Sequence, residues 1–163
     1  MKTQNAFTLV ELMVTLAVAA ILVSMALPNM RSVLLSNRIT SKANELVRAI
    51  NYVRSESIVG KVFNIEPLVP EQWGQGWKIV DEEIVDEDEK IIKIFEFKED
   101  QVKVCGPTSM ISFTNRGRVN GEFQFVIYSD NHSSGRELTL RKTGRTKIET
   151  CSMNGDNLCD LTC

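Results

Sequence analysis

The sequence is poor in the groups that perform chemistry. It holds one histidine, His132, between Asn131 and Ser133 in a polar, loop-like stretch, so no nucleophile, base and acid can be grouped around an imidazole. Its nine glycines form no phosphate-binding loop: Gly74-Gln75-Gly76 lacks a third glycine and leads into a strand-like run. The four cysteines, Cys105, Cys151, Cys159 and Cys163, contain no CxxC pair and are spaced 46, 8 and 4 apart, which argues against a zinc site. The acidic run Asp81 to Glu89 lacks the turn glycine and the spaced oxygen ligands of an EF-hand. An excess of one charge is missing too. Nineteen Lys and Arg stand against 21 Asp and Glu, and the net charge of -2 gives no global drive toward nucleic acid or an anionic membrane. There is no internal repeat and no low-complexity tail. The chain reads as non-enzymatic, with no cofactor and no metal.

What is present begins at once. Ala6-Phe7-Thr8-Leu9-Val10-Glu11 opens an apolar run that ends at Leu27. As a helix rising 1.5 Å per residue, Phe7 to Leu27 crosses about 30 Å, one hydrocarbon core. One carboxylate, Glu11, sits near its start. A charge at mid-bilayer costs roughly 2.5–3.5 kcal/mol on insertion scales, so such a residue is expected to have a function and a partner. The partner expected here is the α-amino group released by a cut between Ala6 and Phe7. A secretory signal is cleaved after its apolar core; here the small residue precedes the core, and cleavage keeps the core in the mature chain. Lys2 and the starting amine precede the span, which puts the head in the cytoplasm and the body outside it. Cysteines outside the cytoplasm tend to pair. All four are expected in two disulfides, and of the three possible pairings the spacing selects none. The last 13 residues carry three of the four, so at least one bond is expected to reach back to Cys105.

Pro28 lacks a backbone donor and is expected to bend the helix. Beyond it Ile39, Ala43, Leu46, Val47, Ile50 and Val53 form one amphipathic stripe, with Arg38, Lys42, Glu45, Arg48, Arg54 and Glu56 on the other faces. Gly60 is the expected stop, giving one helix from Phe7 to about Val59. Glu66 to Gln75, with Pro67 and Pro70, reads as an exposed connection. Strands are expected at Gly76–Val80, Ile91–Phe97, Gln101–Cys105, Met110–Thr114, Glu122–Tyr128, Glu137–Arg141 and Thr146–Thr150, separated by turn signals such as Asn115-Arg116-Gly117 and Thr143-Gly144. The fold class is α+β: one long N-terminal helix, its second half packed on antiparallel strands. The division is a leader at 1–6, a transmembrane assembly segment at 7–28 and an extracytoplasmic body at 29–163.

The leader and Phe-Thr-Leu-Val-Glu resemble those of type IV pilin-like proteins, although Ala6 stands where that family more often has Gly. The body resembles the GspH/FimT family of minor pilins and pseudopilins through Trp73-Gly74-Gln75-Gly76-Trp77-Lys78-Ile79, Ile111 to Val119 with Asn115-Arg116-Gly117-Arg118, and Leu138 to Ile148. The resemblance implies an inner-membrane, single-pass subunit with its body in the periplasm. A prepilin peptidase would cut it at Ala6/Phe7 and methylate the new amine, and it would then join other pilin or pseudopilin subunits through Glu11 and the helix around Pro28. It implies a minor pilin of a type IV pilus that helps start assembly. Two alternatives follow from the same resemblance. One is a minor pseudopilin of type II secretion. The other is a FimT-like subunit that binds DNA, weakly and without sequence preference, during natural transformation. Its Gly-Arg-x-Arg element reads here Gly144-Arg145-Thr146-Lys147, with Arg141 and Lys142 beside it. On alternating strand positions Arg141, Arg145 and Lys147 would line one surface with phosphate contacts.

Overall fold

The computed structural model describes residues 8–85, 90–97, 101–153 and 159, the side chains of 26–29 excepted. The expected cut site at Ala6 and Phe7, the Pro28 side chain and Cys163 lie outside the described residues. The chain divides into two compact units, Met1–Leu34 and Leu35–Cys163.

The first unit is helical from Leu9, the start of α1 (Leu9–Val59), whose backbone stays helical through Pro28. Thr8 caps it: its hydroxyl accepts the Glu11 amide at 3.2 Å and its carbonyl accepts the Leu12 amide. Thr15 and Ser24 donate their hydroxyls back to the carbonyls of Leu12 and Ile21, so their polar groups are satisfied within the helix. Every described side chain from Leu9 to Met25 is exposed, including Leu12, Leu16, Ile21 and Leu22.

In the second unit α1 turns the expected stripe inward. Ile39, Ala43, Leu46, Ile50 and Val53 are buried, Val47 packs half-buried beside them, and Leu35 and Ala49 extend the stripe. Burying a side chain of the Leu or Ile class contributes roughly 1.5–3 kcal/mol, and this stripe is what fixes the helix to the strands. Lys42, expected on a polar face, is instead buried, with its Nζ 3.5 Å from the centroid of Phe97. Its aliphatic stem and the ring quadrupole make that burial affordable to a cation. The helix ends at Gly60 as expected. Gly60 has φ +108°, its amide donates to the Ser57 carbonyl and the Lys61 amide to that of Glu56, the paired bonds of a Schellman cap. The Glu56 carboxylate, 2.8 Å from Lys61 Nζ and hydrogen-bonded to it, raises that ammonium above its ordinary value.

Eight strands follow: β1 (Phe63–Val69), β2 (Gln72–Asp81), β3 (Ile91–Glu96), β4 (Lys103–Cys105), β5 (Ile111–Ser112), β6 (Phe123–Tyr128), β7 (Ser134–Leu140) and β8 (Thr146–Ser152). They form two antiparallel sheets, ordered β3-β2-β1-β5 and β4-β6-β7-β8. The expected exposed connection at Glu66–Gln75 is corrected: its two ends are the paired arms of the β1–β2 hairpin, with only Pro70 and Glu71 between them. Pro67 is tolerated because the register slips between it and Val69 and because β5 pairs β1 only at Asn64 and Ile65. Alternation sorts the second sheet. Phe123, Phe125 and Ile127 of β6 and Leu138 and Leu140 of β7 enter the core with Trp73, Trp77 and Ile79 of β2. Val126 faces the other way, into a small second cluster with Cys105, Cys151 and Cys159. Cys151 and Cys159 are disulfide-bonded to each other, and Cys105 is disulfide-bonded too.

Candidate functional site: an apolar helix and a basic turn

Two places carry the residues singled out from the sequence. The first is the start of α1. Glu11 lies in the first helical turn, where the free amides of a helix N-terminus favour a carboxylate. Thr8 and Glu11 stand three apart with the spacing of a capping box. Thr8 was not assigned a role from the sequence, though the Thr-x-x-Glu pattern before an apolar run was there to be read. Glu11 is the one ionisable side chain among residues 8–25, exposed in a ring of exposed Leu, Val and Met. A bilayer or neighbouring helices would cover that surface; the helix is long and apolar enough to cross a membrane, and none of its apolar stretch is buried within the chain.

The second place is the β7–β8 turn. Arg141 donates its amide to the Arg145 carbonyl at 3.0 Å, and the Gly144 amide returns to the Arg141 carbonyl at 2.7 Å. Gly144 has φ +76°, and a Cβ there would collide with the Gly117 carbonyl oxygen. Two turns thus press together, Thr114–Arg118 and Arg141–Arg145, joined further by the Val119 amide on the Lys142 carbonyl at 3.1 Å. Arg54 of α1 runs between them, its Nε 3.0 Å from the place a Gly144 Cβ would take. That Nε is buried and has no hydrogen-bond partner among the described residues. The result is a cleft of about 710 Å³ lined by Arg54, Arg141, Thr143, Arg145, Thr146 and Lys147.

The structure therefore brings Arg141, Arg145 and Lys147 together, by a route other than strand alternation. Arg141 and Arg145 flank the turn, and of the three only Lys147 lies in a strand, opposite Thr139. Lys142 is exposed next to the cleft without lining it. Lys147 is engaged by Glu149 at 2.7 Å, while Arg141, Lys142 and Arg145 form no ion pair among the described residues. Arg54 joins this group unannounced, and Arg116 and Arg118 lie exposed in the turn whose backbone meets it, without lining the cleft. Arg54 had the spacing of a solvent-facing helix position, and Arg116 and Arg118 were visible only as turn and motif residues; what unites them is contact between segments far apart in sequence. Among the described residues no group of His, Cys, Asp or Glu could hold a metal ion.

The family model described as Type II transport protein GspH matches residues 42–144, more than half of the chain. The chain belongs to the GspH family. A model of the prokaryotic N-terminal methylation motif matches residues 1–27. No curated protein matches the chain significantly. Among solved structures the GspH-family body is similar to the type IV minor pilin FimU of Pseudomonas aeruginosa in two crystal forms. One is 22% identical, with a TM-score of 0.56 over 68% of this chain and 91% of that one. The other is 23% identical, with a TM-score of 0.58 over 69% and 89%. A third similarity is to the minor pseudopilin EpsH from the type 2 secretion system of Vibrio cholerae, 11% identical, with a TM-score of 0.48 over 68% and 94%. The similarity to FimU shows that the two share a fold over that part of the chain.

Proposed function

We propose that this protein is a minor pilin of a type IV pilus, a structural subunit that helps start filament assembly. The observation that carries the reading is the start of α1: a fully exposed apolar helix with a single carboxylate in its first turn, inside a segment that matches the N-terminal methylation motif. In this reading residues 1–6 are a leader. A prepilin peptidase cuts between Ala6 and Phe7 and methylates the Phe7 amine. Residues 7–28 hold the chain in the inner membrane, with the body at 29–163 in the periplasm, and then pack among neighbouring pilin helices in the filament. Glu11 pairs with a Phe7 amine, most usefully that of an adjacent subunit, because both charges are otherwise stranded at low dielectric. Two measurements on one sample test this. Filaments sheared from cells expressing the full chain should contain it, and its intact mass should correspond to a start at Phe7 plus one methyl group. A mature chain that starts at Met1 or beyond Leu27, or one absent from filaments, overturns the reading. Recovery in a secretion pseudopilus instead of a pilus would favour the secretion alternative, which the family description supports.

A second reading has an observation of its own. The cleft at the β7–β8 turn gathers Arg54, Arg141, Arg145 and Lys147, a group able to contact a phosphate backbone. As a DNA-binding minor pilin the chain would hold duplex DNA without sequence preference, at micromolar or weaker affinity that falls as salt rises. Fluorescence anisotropy in low salt separates the two. Arg145→Gln with Lys147→Gln should weaken binding and flatten its salt dependence under the DNA reading. The purely structural reading expects no anisotropy change for wild type or variant.

A further inference from the structure

Arg54 carries a charge that the body itself does not satisfy. The residue is half-buried, and its Nε is buried with no hydrogen-bond partner among the described residues. A guanidinium does not escape burial by losing its proton. A buried donor without an acceptor costs its desolvation, and folded proteins leave few such groups unmet by water, an ion or a ligand. The backbone around Arg54 is shaped to admit it. Its Nε lies 3.0 Å from the place a Gly144 Cβ would take and 3.2 Å from that of Gly117. Both glycines are buried and left-handed, with φ +76° and +65°. The cleft beside them draws Arg54 from α1, Arg141 from before the β7–β8 turn, Thr143 from within it, and Arg145, Thr146 and Lys147 from after it. Among the described residues no acid lines it. Lys147 is drawn to Glu149 at 2.7 Å, so its charge is already answered. Arg54, Arg141 and Arg145 make no ion pair among the described residues. Three guanidinia and two threonine hydroxyls remain to face a ligand.

We propose that this cleft binds one tetrahedral oxyanion, a phosphate or sulfate group, on Arg54, Arg141 and Arg145. The proposal goes beyond both functional readings and depends on neither. The donor set selects the ligand. A carboxylate offers two oxygens in one plane and is met by a single guanidinium fork. A phosphate group offers oxygens in several directions and close to two charges, so donors from a helix and from both arms of a hairpin can share it. A phosphodiester within a strand carries one charge and commits two oxygens to the chain. A free anion or a monoester end leaves at least three for the three guanidinia. The cleft, about 710 Å³, is larger than one such group, so it admits the anion free or as the phosphomonoester end of a larger molecule. Either gives the Arg54 guanidinium an acceptor and ties the end of α1 to the β7–β8 turn.

Inorganic phosphate titrated into the full chain in non-ionic detergent micelles tests the site, at about pH 8, where a phosphate group carries nearly two charges. Binding is read from the width of the phosphorus NMR line, with ionic strength held constant by sodium chloride. Saturable broadening is expected. Arg54→Lys keeps the charge but loses Nε and the planar fork, and should weaken binding about tenfold or more; Arg145→Lys, at an exposed position, should do the same. Arg54→Met separates the site from a folding defect. In chloride alone its unfolding midpoint, read by the buried Trp73 and Trp77, should equal or exceed that of wild type, because a buried donor without an acceptor is gone. Phosphate should then lift wild type above the variant, since its general salting effect acts on both and binding acts on one. Misfolding does not produce that reversal. Two competitors distinguish the sources: a short DNA duplex with 5′-phosphates and the same duplex without them. Displacement of inorganic phosphate by the phosphorylated duplex alone supports the proposal and assigns the cleft to monoester ends. Displacement by neither supports it with the free anion as ligand. Equal displacement by both overturns it and gives the cleft to the DNA backbone. Absence of saturable broadening, unchanged affinity in Arg54→Lys, or an Arg54→Met chain less stable than wild type in chloride also overturns it. None of these variants touches Ala6, Phe7 or Glu11, so filament incorporation reports on the minor-pilin reading separately.

Discussion

Gly144 links the backbone of the basic turn to its charge. Its left-handed φ suits a residue without a side chain, and the space where a Cβ would sit is taken by the Gly117 carbonyl and the Arg54 guanidinium. Gly144→Ala must therefore strain the backbone, part the two turns and push Arg54 aside. The strain of a non-glycine residue at such a conformation is of order 1–3 kcal/mol. The expected outcome is a body destabilised by about that amount, read as an earlier denaturant midpoint in the fluorescence of the buried Trp73 and Trp77. An unshifted midpoint would mean that the turn relaxes freely and that Arg54 is not held by it. The residue scale is also where the sequence was least informative about the site. Arg54 lies on a helix face that carries other charged residues, and only the approach of Gly117 and Gly144 sets it apart. That approach joins segments about sixty and ninety positions away in the chain, which no local pattern encodes.

The helix and most strands were legible because each has a period and a stop. The stripe from Ile39 to Val53 repeats as a helix must, and Gly60 closes it with a left-handed cap. Six of the expected strands overlap β3 to β8, and the seventh lies within β2, because alternation and turn residues bracket them. The misses have physical reasons. β1 was hidden by Pro67 and Pro70. Proline argues against a central strand, but at a register slip on a part-edge strand it removes no required hydrogen bond. β7 begins at Ser134, three residues earlier than expected, although Ser133-Ser134-Gly135 reads as a turn. Gly135 is buried, and a Cβ there would meet the Ile127 carbonyl at 2.9 Å and the Cys159 sulfur at 3.2 Å, so its small size serves packing within the strand. The same crowding explains why the cysteines gave no pairing from sequence. Cys151 of β8 and Cys159 meet on the face of the second sheet that also carries Val126 and Cys105, a placement set by strand order.

For the molecule as a whole the two units point to separable roles. The body has its own core, from the Leu35–Val53 stripe through Trp77, Phe125 and Leu138, and among the described residues none before Leu35 belongs to it. The first unit has the reverse character: its apolar side chains are exposed, and its charge at Glu11 has no ion-pair partner among the described residues. Stability and assembly should then respond to different substitutions. Glu11→Ala removes a carboxylate from an exposed helix turn and leaves every core contact in place, so the tryptophan-monitored unfolding of the body should be unchanged. Under the proposed pairing with the Phe7 amine of a neighbouring subunit, the same change would leave that amine buried without its counter-charge. Breaking a buried ion pair in this way costs about 3–5 kcal/mol, enough to lower incorporation by more than a hundredfold when the pair is made across subunits. The measurement is the ratio of chain recovered in sheared filaments to chain in membranes, for wild type and Glu11→Ala at matched expression. Equal ratios would show that Glu11 needs no partner in the assembly, and a shifted body unfolding midpoint would show that the two units are not independent.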